Sequence, residues 1–157
     1  MTEQVMEERA IVLPDWPQPA VAAEPRVWAD ESSLLIRYRT ADEKIAVVHF
    51  PLCSYLAFGA PNDEALGGHP LYSRGLQFYS VHEVVHSSLI EILERRNSVH
   101  PQHDPKSYLR DKKHYVFTFE DSTLECVVSE GERWKPTVKV CDSKSDEERE
   151  WQRASDA

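Results

Sequence analysis

His114-Tyr-Val-Phe-Thr-Phe-Glu-Asp-Ser-Thr-Leu-Glu-Cys-Val-Val128 reads as two strands joined by the polar turn Glu120-Asp121-Ser122, the clearest hairpin in the chain. Within it Glu125 lies between Leu124 and Cys126. Alternation turns its side chain away from both neighbours, toward solvent or into a pocket. An enclosed carboxyl there would have a raised pKa and could act as a general base.

Working outward from this hairpin, Val27 to Arg39 and Lys44 to Phe50 form a second one around Thr40-Ala41-Asp42-Glu43, and Cys53 to Phe58 reads as a further short strand. Leu76 to Val85 again has strand composition. Ser88 followed by Glu91 is a capping box, so a helix is expected from there to about Arg96, with Leu89, Ile92 and Leu93 at helical spacing. With only one long helix among several strands, the economical architecture is α+β: a single antiparallel sheet covered by one main amphipathic helix.

The expected organisation is a Pro-rich lead-in over 1–25, packing only through Trp16, an α+β domain over 26–130, and a polar, partly disordered tail over 131–157. In the tail, Val138 and Val140 could extend an edge strand, and Ser145 to Glu148 could cap a short helix carrying Trp151. The chain has 157 residues, enough for one core.

At 41% hydrophobic and 29% charged residues, the composition is globular, and no run approaches the length needed to span a bilayer. Met1 to Arg9 lacks the architecture of a secretory signal or transit peptide, which makes a cytoplasmic location the expectation. Three well-separated cysteines, Cys53, Cys126 and Cys141, suit reduced thiols better than a disulfide framework. A formal net charge of −9 opposes nucleic-acid binding. The same charge would suit a basic protein partner, although it is also an ordinary solubility device for a cytosolic bacterial protein.

His82-Glu83-Val84-Val85-His86 matches H-E-x-x-H, the pattern of zinc-dependent hydrolases. That chemistry needs a helix, which brings both imidazoles onto one face while the glutamate activates water. Here the helix signal starts after His86. A strand would set the two histidines about 7 Å apart on one face and turn Glu83 to the other, so no metal site is assigned. His100, His103 and Asp104 offer metal-ligand donor types, but His100-Pro101 and Asp104-Pro105 also mark ordinary turns within a loop over 97–110. No G-x-S-x-G elbow or glycine-rich phosphate loop is present.

The interval from Gly59 to Gly75 holds four of the chain's five glycines and two prolines, and long irregular loops of this kind often carry function. Its polar groups Asn62, Asp63, Glu64, His69 and Arg74, backed by Tyr72, therefore form a candidate small-ligand site. The competing account is structural, with Asn62 or Asp63 capping a turn and His69 bonding to nearby backbone.

Pro61-Asn-Asp-Glu-Ala-Leu-Gly-Gly-His-Pro-Leu-Tyr72, Glu83-Val84 and His114 to Cys126 together resemble a family of small bacterial proteins, over about residues 45 to 128. The resemblance implies no reaction, ligand or cofactor. It implies that histidines on both sides of Glu83-Val84 are not a family feature, which weighs further against the zinc reading.

The functional expectation is a small polar ligand held where the 59–75 loop meets the 114–128 hairpin, in a binding protein or modest enzyme. His69 and Glu125 would be the catalytic pair, approaching across the fold, with Asn62, Asp63, Glu64, Tyr72 and Arg74 binding the ligand. The alternative is an acidic interaction module, immunity- or antitoxin-like, that binds a basic protein.

Overall fold

Cross-strand pairing carries the 114–128 hairpin two residues further than its apolar pattern suggests at the N-terminal end and one further at the C-terminal end. In the computed structural model, which describes residues 6–156, β7 (Lys112–Thr118) and β8 (Thr123–Ser129) pair antiparallel, from Lys112 opposite Ser129 to Thr118 opposite Thr123. The leader reading of Met1 to Arg9, the lead-in and the tail each extend into residues outside this range.

Around this hairpin stand β1 (Arg9–Val12), β6 (Val81–Val85) and β5 (Cys53–Gly59), in the order β1-β6-β7-β8-β5. A second antiparallel sheet has the order β2-β3-β4-β9, from β2 (Arg26–Ala29), β3 (Leu34–Arg39), β4 (Ile45–Phe50) and β9 (Thr137–Cys141).

The expected single sheet under one main helix is therefore incorrect: the protein is mostly β, with two antiparallel sheets of five and four strands and a few short helices. The reason is the two-residue period of the strands. Leu34, Ile36, Tyr38, Ala46, Val48 and Phe50 from one sheet meet Val81, Tyr115, Phe117, Leu124, Cys126 and Val128 from the other, and all are buried. An apolar sheet face is satisfied as well by a second sheet as by a helix. Each large side chain so buried contributes about 1.5–3 kcal/mol.

Trp16 from the lead-in packs against this layer, with ring centroids 5.3 Å from Tyr115 and 6.2 Å from Phe50. The lead-in also supplies β1, paired with β6 from Arg9 opposite Val85 to Val12 opposite His82.

The outer face of the four-stranded sheet lies under α3 (Lys144–Ser155), where the buried side chains of Arg37 and Glu147 form an ion pair. The helix expected as the main cover is α1 (Ser88–Asn97), and its one buried residue is Ile90, while Ile92 is exposed. Its cap is Ser87, one residue before the expected serine, with the side chain accepting from the Ile90 N–H at 3.2 Å. Positive φ at His86 (52°) makes the turn from β6 into this helix.

The outer face of the five-stranded sheet is covered by the 59–77 segment. It folds into short 3₁₀ turns at Asp63–Gly68 and Tyr72–Arg74, and its Leu66, Leu71 and Leu76 cluster with Ala10, Val84 and Val116. Gly75 is required there: it has φ of 107°, and a Cβ would lie 2.3 Å from the Ala10 carbonyl oxygen. Among the described residues no helix is long and apolar enough to cross a membrane.

Candidate functional site

Alternation along β6, β7 and β8 gathers polar side chains onto the outer face of the five-stranded sheet. His82, Lys112, His114, Glu125 and Ser129 all point there, because Lys112, His114 and Val116 stand opposite Ser129, Val127 and Glu125, and His82 stands opposite Val116. They form two separate groups.

The first group centres on Glu125. His69, from the first 3₁₀ turn's C-terminal cap, brings Nε2 to 3.0 Å from Glu125 Oε2, and His114 Nε2 lies 3.0 Å from Oε1. The backbone N–H of Leu71 donates to His69 Nδ1 at 3.0 Å. That nitrogen is therefore the acceptor, and the Nε2–H of the neutral ring donates to the carboxylate. The Glu125 carboxylate can only accept, so His114 likewise presents Nε2–H to it, while Ser87 Oγ stands 2.8 Å from His114 Nδ1 and accepts from Ile90 N–H.

Burial pushes the Glu125 carboxyl up, but the donors from His114 and His69 outweigh it and hold the group at about 2. The expected rise is thus reversed. A carboxylate of this kind is a weak base, and its two imidazoles are satisfied by it.

His69 and Glu125 therefore do meet, as expected, while the five accompanying ligand residues are used elsewhere. Asn62 caps the first 3₁₀ turn, accepting from Ala65 N–H at 3.0 Å, and Asp63 accepts from the Tyr79 hydroxyl at 2.5 Å. Arg74 reaches the Glu8 carbonyl at 3.4 Å, Tyr72 packs edge-on against Phe78, and Glu64 is exposed. None of them bonds to His69 or Glu125.

The H-E-x-x-H residues diverge as a strand requires. His82 is fully buried, with Nε2 accepting from Gln77 N–H at 3.0 Å and Nδ1 donating to the Val116 carbonyl at 3.1 Å. Burial lowers its pKa. Glu83 turns to Lys113 at 3.7 Å, and His86 lies beyond the strand. His103 bonds to Glu94 and Asn97, His100 accepts from Gln102 N–H, and Asp104 caps α2 (Pro105–Asp111). Among the described residues no group of three or more His, Cys, Asp or Glu side chains is disposed to hold a metal ion.

The second group opens onto a cleft of about 810 Å³ between the 97–112 segment and the end of β8 with its following loop, lined among others by Tyr108, Lys112, Ser129, Arg133 and Trp134. Lys112 Nζ donates to Ser129 Oγ at 2.7 Å and sits 4.9 Å from the centre of the Tyr108 ring. Arg133 lies over Trp134 at 5.3 Å. Among the described residues neither cation is within ion-pair distance of a carboxylate.

The cleft's own carboxylates are largely committed. Asp104 accepts from Lys106 N–H and Ser107, Asp111 pairs with Arg110, and Glu130 takes the Tyr115 hydroxyl and Lys113; Glu132 has no such partner among the described residues. Burial lowers the Lys112 pKa against the pull of Asp111 and Cys53.

This site was legible in part. Extending the hairpin register by two residues pairs Lys112 with Ser129, but a loop expected to run to Arg110 directs attention away from it. Comparison with known proteins adds no constraint, since no family model, curated protein or solved structure matches the chain.

Proposed function

We propose that the protein is a small-ligand-binding domain whose ligand is a small organic anion with a flat portion, held in the Lys112–Arg133 cleft. The observation that carries this reading is that two cations without carboxylate partners among the described residues face one cleft in a chain of net charge −9, each against an aromatic ring. Unpaired ammonium and guanidinium groups recognise carboxylate or phosphate, and the Tyr108 and Trp134 rings accept a flat group. What favours the cleft over the His69–Glu125 contact is that the latter pair is internally satisfied. The reading takes the chain as cytosolic, with Cys53, Cys126 and Cys141 as free thiols in a reducing compartment.

Calorimetric titration with pyridoxine phosphate, a flat ring bearing an anion and no carbonyl group, tests this. Saturable binding is expected, weakening with salt and falling about tenfold, or about 1.4 kcal/mol, in Lys112→Met. Absence of binding by this probe and by simple aromatic carboxylates, together with recovery of a stable basic protein partner at low salt, would favour the acidic interaction module instead.

A further inference from the structure

Resting on that cleft as the ligand site, we infer that Lys112 forms an imine with the aldehyde or ketone group of an anionic ligand. Charge recognition alone does not require a lysine so placed. A guanidinium would serve an anion as well, and Arg133 already does so from the rim. Lys112 is instead half-buried on the cleft wall at the start of β7, with a neutral hydroxyl as its only hydrogen-bond partner among the described residues. Burial lowers the Lys112 pKa against the pull of the neighbouring Asp111, which raises the share of free amine able to attack a carbonyl carbon.

Lys113, the next residue, provides the internal contrast. It is paired with Glu130 at 3.2 Å and Glu83 at 3.7 Å, and these carboxylates hold its pKa up against partial burial. Burial moves Lys112 the other way. Two adjacent lysines on opposite faces of one strand thus differ in the chemistry open to them.

Ser129 completes the step. As the Lys112 nitrogen attacks the carbonyl carbon, a C–N bond forms and the carbonyl π pair moves onto oxygen. The Ser129 hydroxyl, 2.7 Å from Nζ, relays the proton released by nitrogen to that oxygen. A second proton transfer lets the C–O bond break, and one water leaves as the imine forms. No oxidant or reductant is consumed.

The test uses pyridoxal 5′-phosphate on the full chain, with borohydride added to deliver hydride to any imine carbon, followed by tandem mass spectrometry of the peptide containing Lys112 and Lys113. The expected result is severalfold more label on Lys112 than on Lys113, since burial lowers the pKa of the one amine while the Glu130 and Glu83 carboxylates raise that of the other. Lys112→Arg should abolish that label without transferring it to Lys113. Ser129→Ala should slow labelling severalfold at saturating pyridoxal 5′-phosphate.

Label spread over exposed lysines, with Lys112 no more modified than Lys113 while pyridoxine phosphate still binds, would overturn the imine and leave the cleft standing. Failure of pyridoxine phosphate to bind the parent protein would remove the ligand site and the imine together.

Discussion

His69 and Glu125, 56 residues apart in the chain, face each other at 3.0 Å, with His114 on the other carboxylate oxygen at the same distance. Because both rings present Nε2–H, Glu125→Gln would set an amide NH₂ against one of two N–H donors. The expected loss is about 1–3 kcal/mol of stability in urea titration, the cost of an unsatisfied buried donor.

The same substitution has a pH signature. The folded pKa of Glu125, about 2, lies below the ordinary 4.5, so between these values the unfolded chain takes up a proton that the folded chain refuses. Its contribution is complete above pH 4.5 and is lost as pH falls through the window. Glu125→Gln should flatten this acid limb, and an unchanged limb would show that the two imidazoles do not hold the charge.

His82 acts in a higher window. Its folded pKa is below 6.5, lowered by burial, so as pH falls below 6.5 the unfolded state is protonated first and stability declines. Protonation would also turn Nε2 into a donor facing the Gln77 N–H and release the 59–77 cover. His82→Gln, which retains one donor and one acceptor, should reduce the slope of unfolding midpoint against pH just below 6.5. Buried His49, whose Nε2 has no partner among the described residues, contributes the same sign and should leave a residual slope.

Glu147 ties α3 to the sheet through Arg37, with both side chains more than nine-tenths buried. Glu147→Gln removes the negative charge that compensates the buried guanidinium, at an expected cost of about 3–5 kcal/mol. Hydrogen exchange should then accelerate first in Lys144–Ser155. Glu148→Gln, on the exposed side of the same helix, should leave both stability and exchange nearly unchanged.

Local chemistry accounts for the elements that were legible from residues alone. Alternating apolar positions at 114–128 and 34–50 specify hairpins, and the strand at His82–Val85 follows from a helix cap placed after it, whereas the arm expected over 27–39 is broken by a turn at Asp30–Ser33 into β2 and β3. The cap itself shifts from Ser88 to Ser87 because two serines stand together and only the left-handed turn at His86 selects between them. β1 escaped notice because four residues between a polar start and three prolines carry too little period, and its partner β6 lies some 70 residues away.

The remaining features depend on groups that are distant in sequence. Period-two burial is the same under a helix or a second sheet, so the stacking of two sheets emerges only when Tyr38 and Phe50 meet Phe117. The sign of the Glu125 shift has the same origin. Its residue type and strand position predict burial, which raises a carboxyl pKa, whereas the donors that lower it come from His69 on a folded-back loop and from His114 on the neighbouring strand. Residue identity sets what each group can donate, accept or bury; the energy of that group depends on partners that only chain closure brings within about 3 Å.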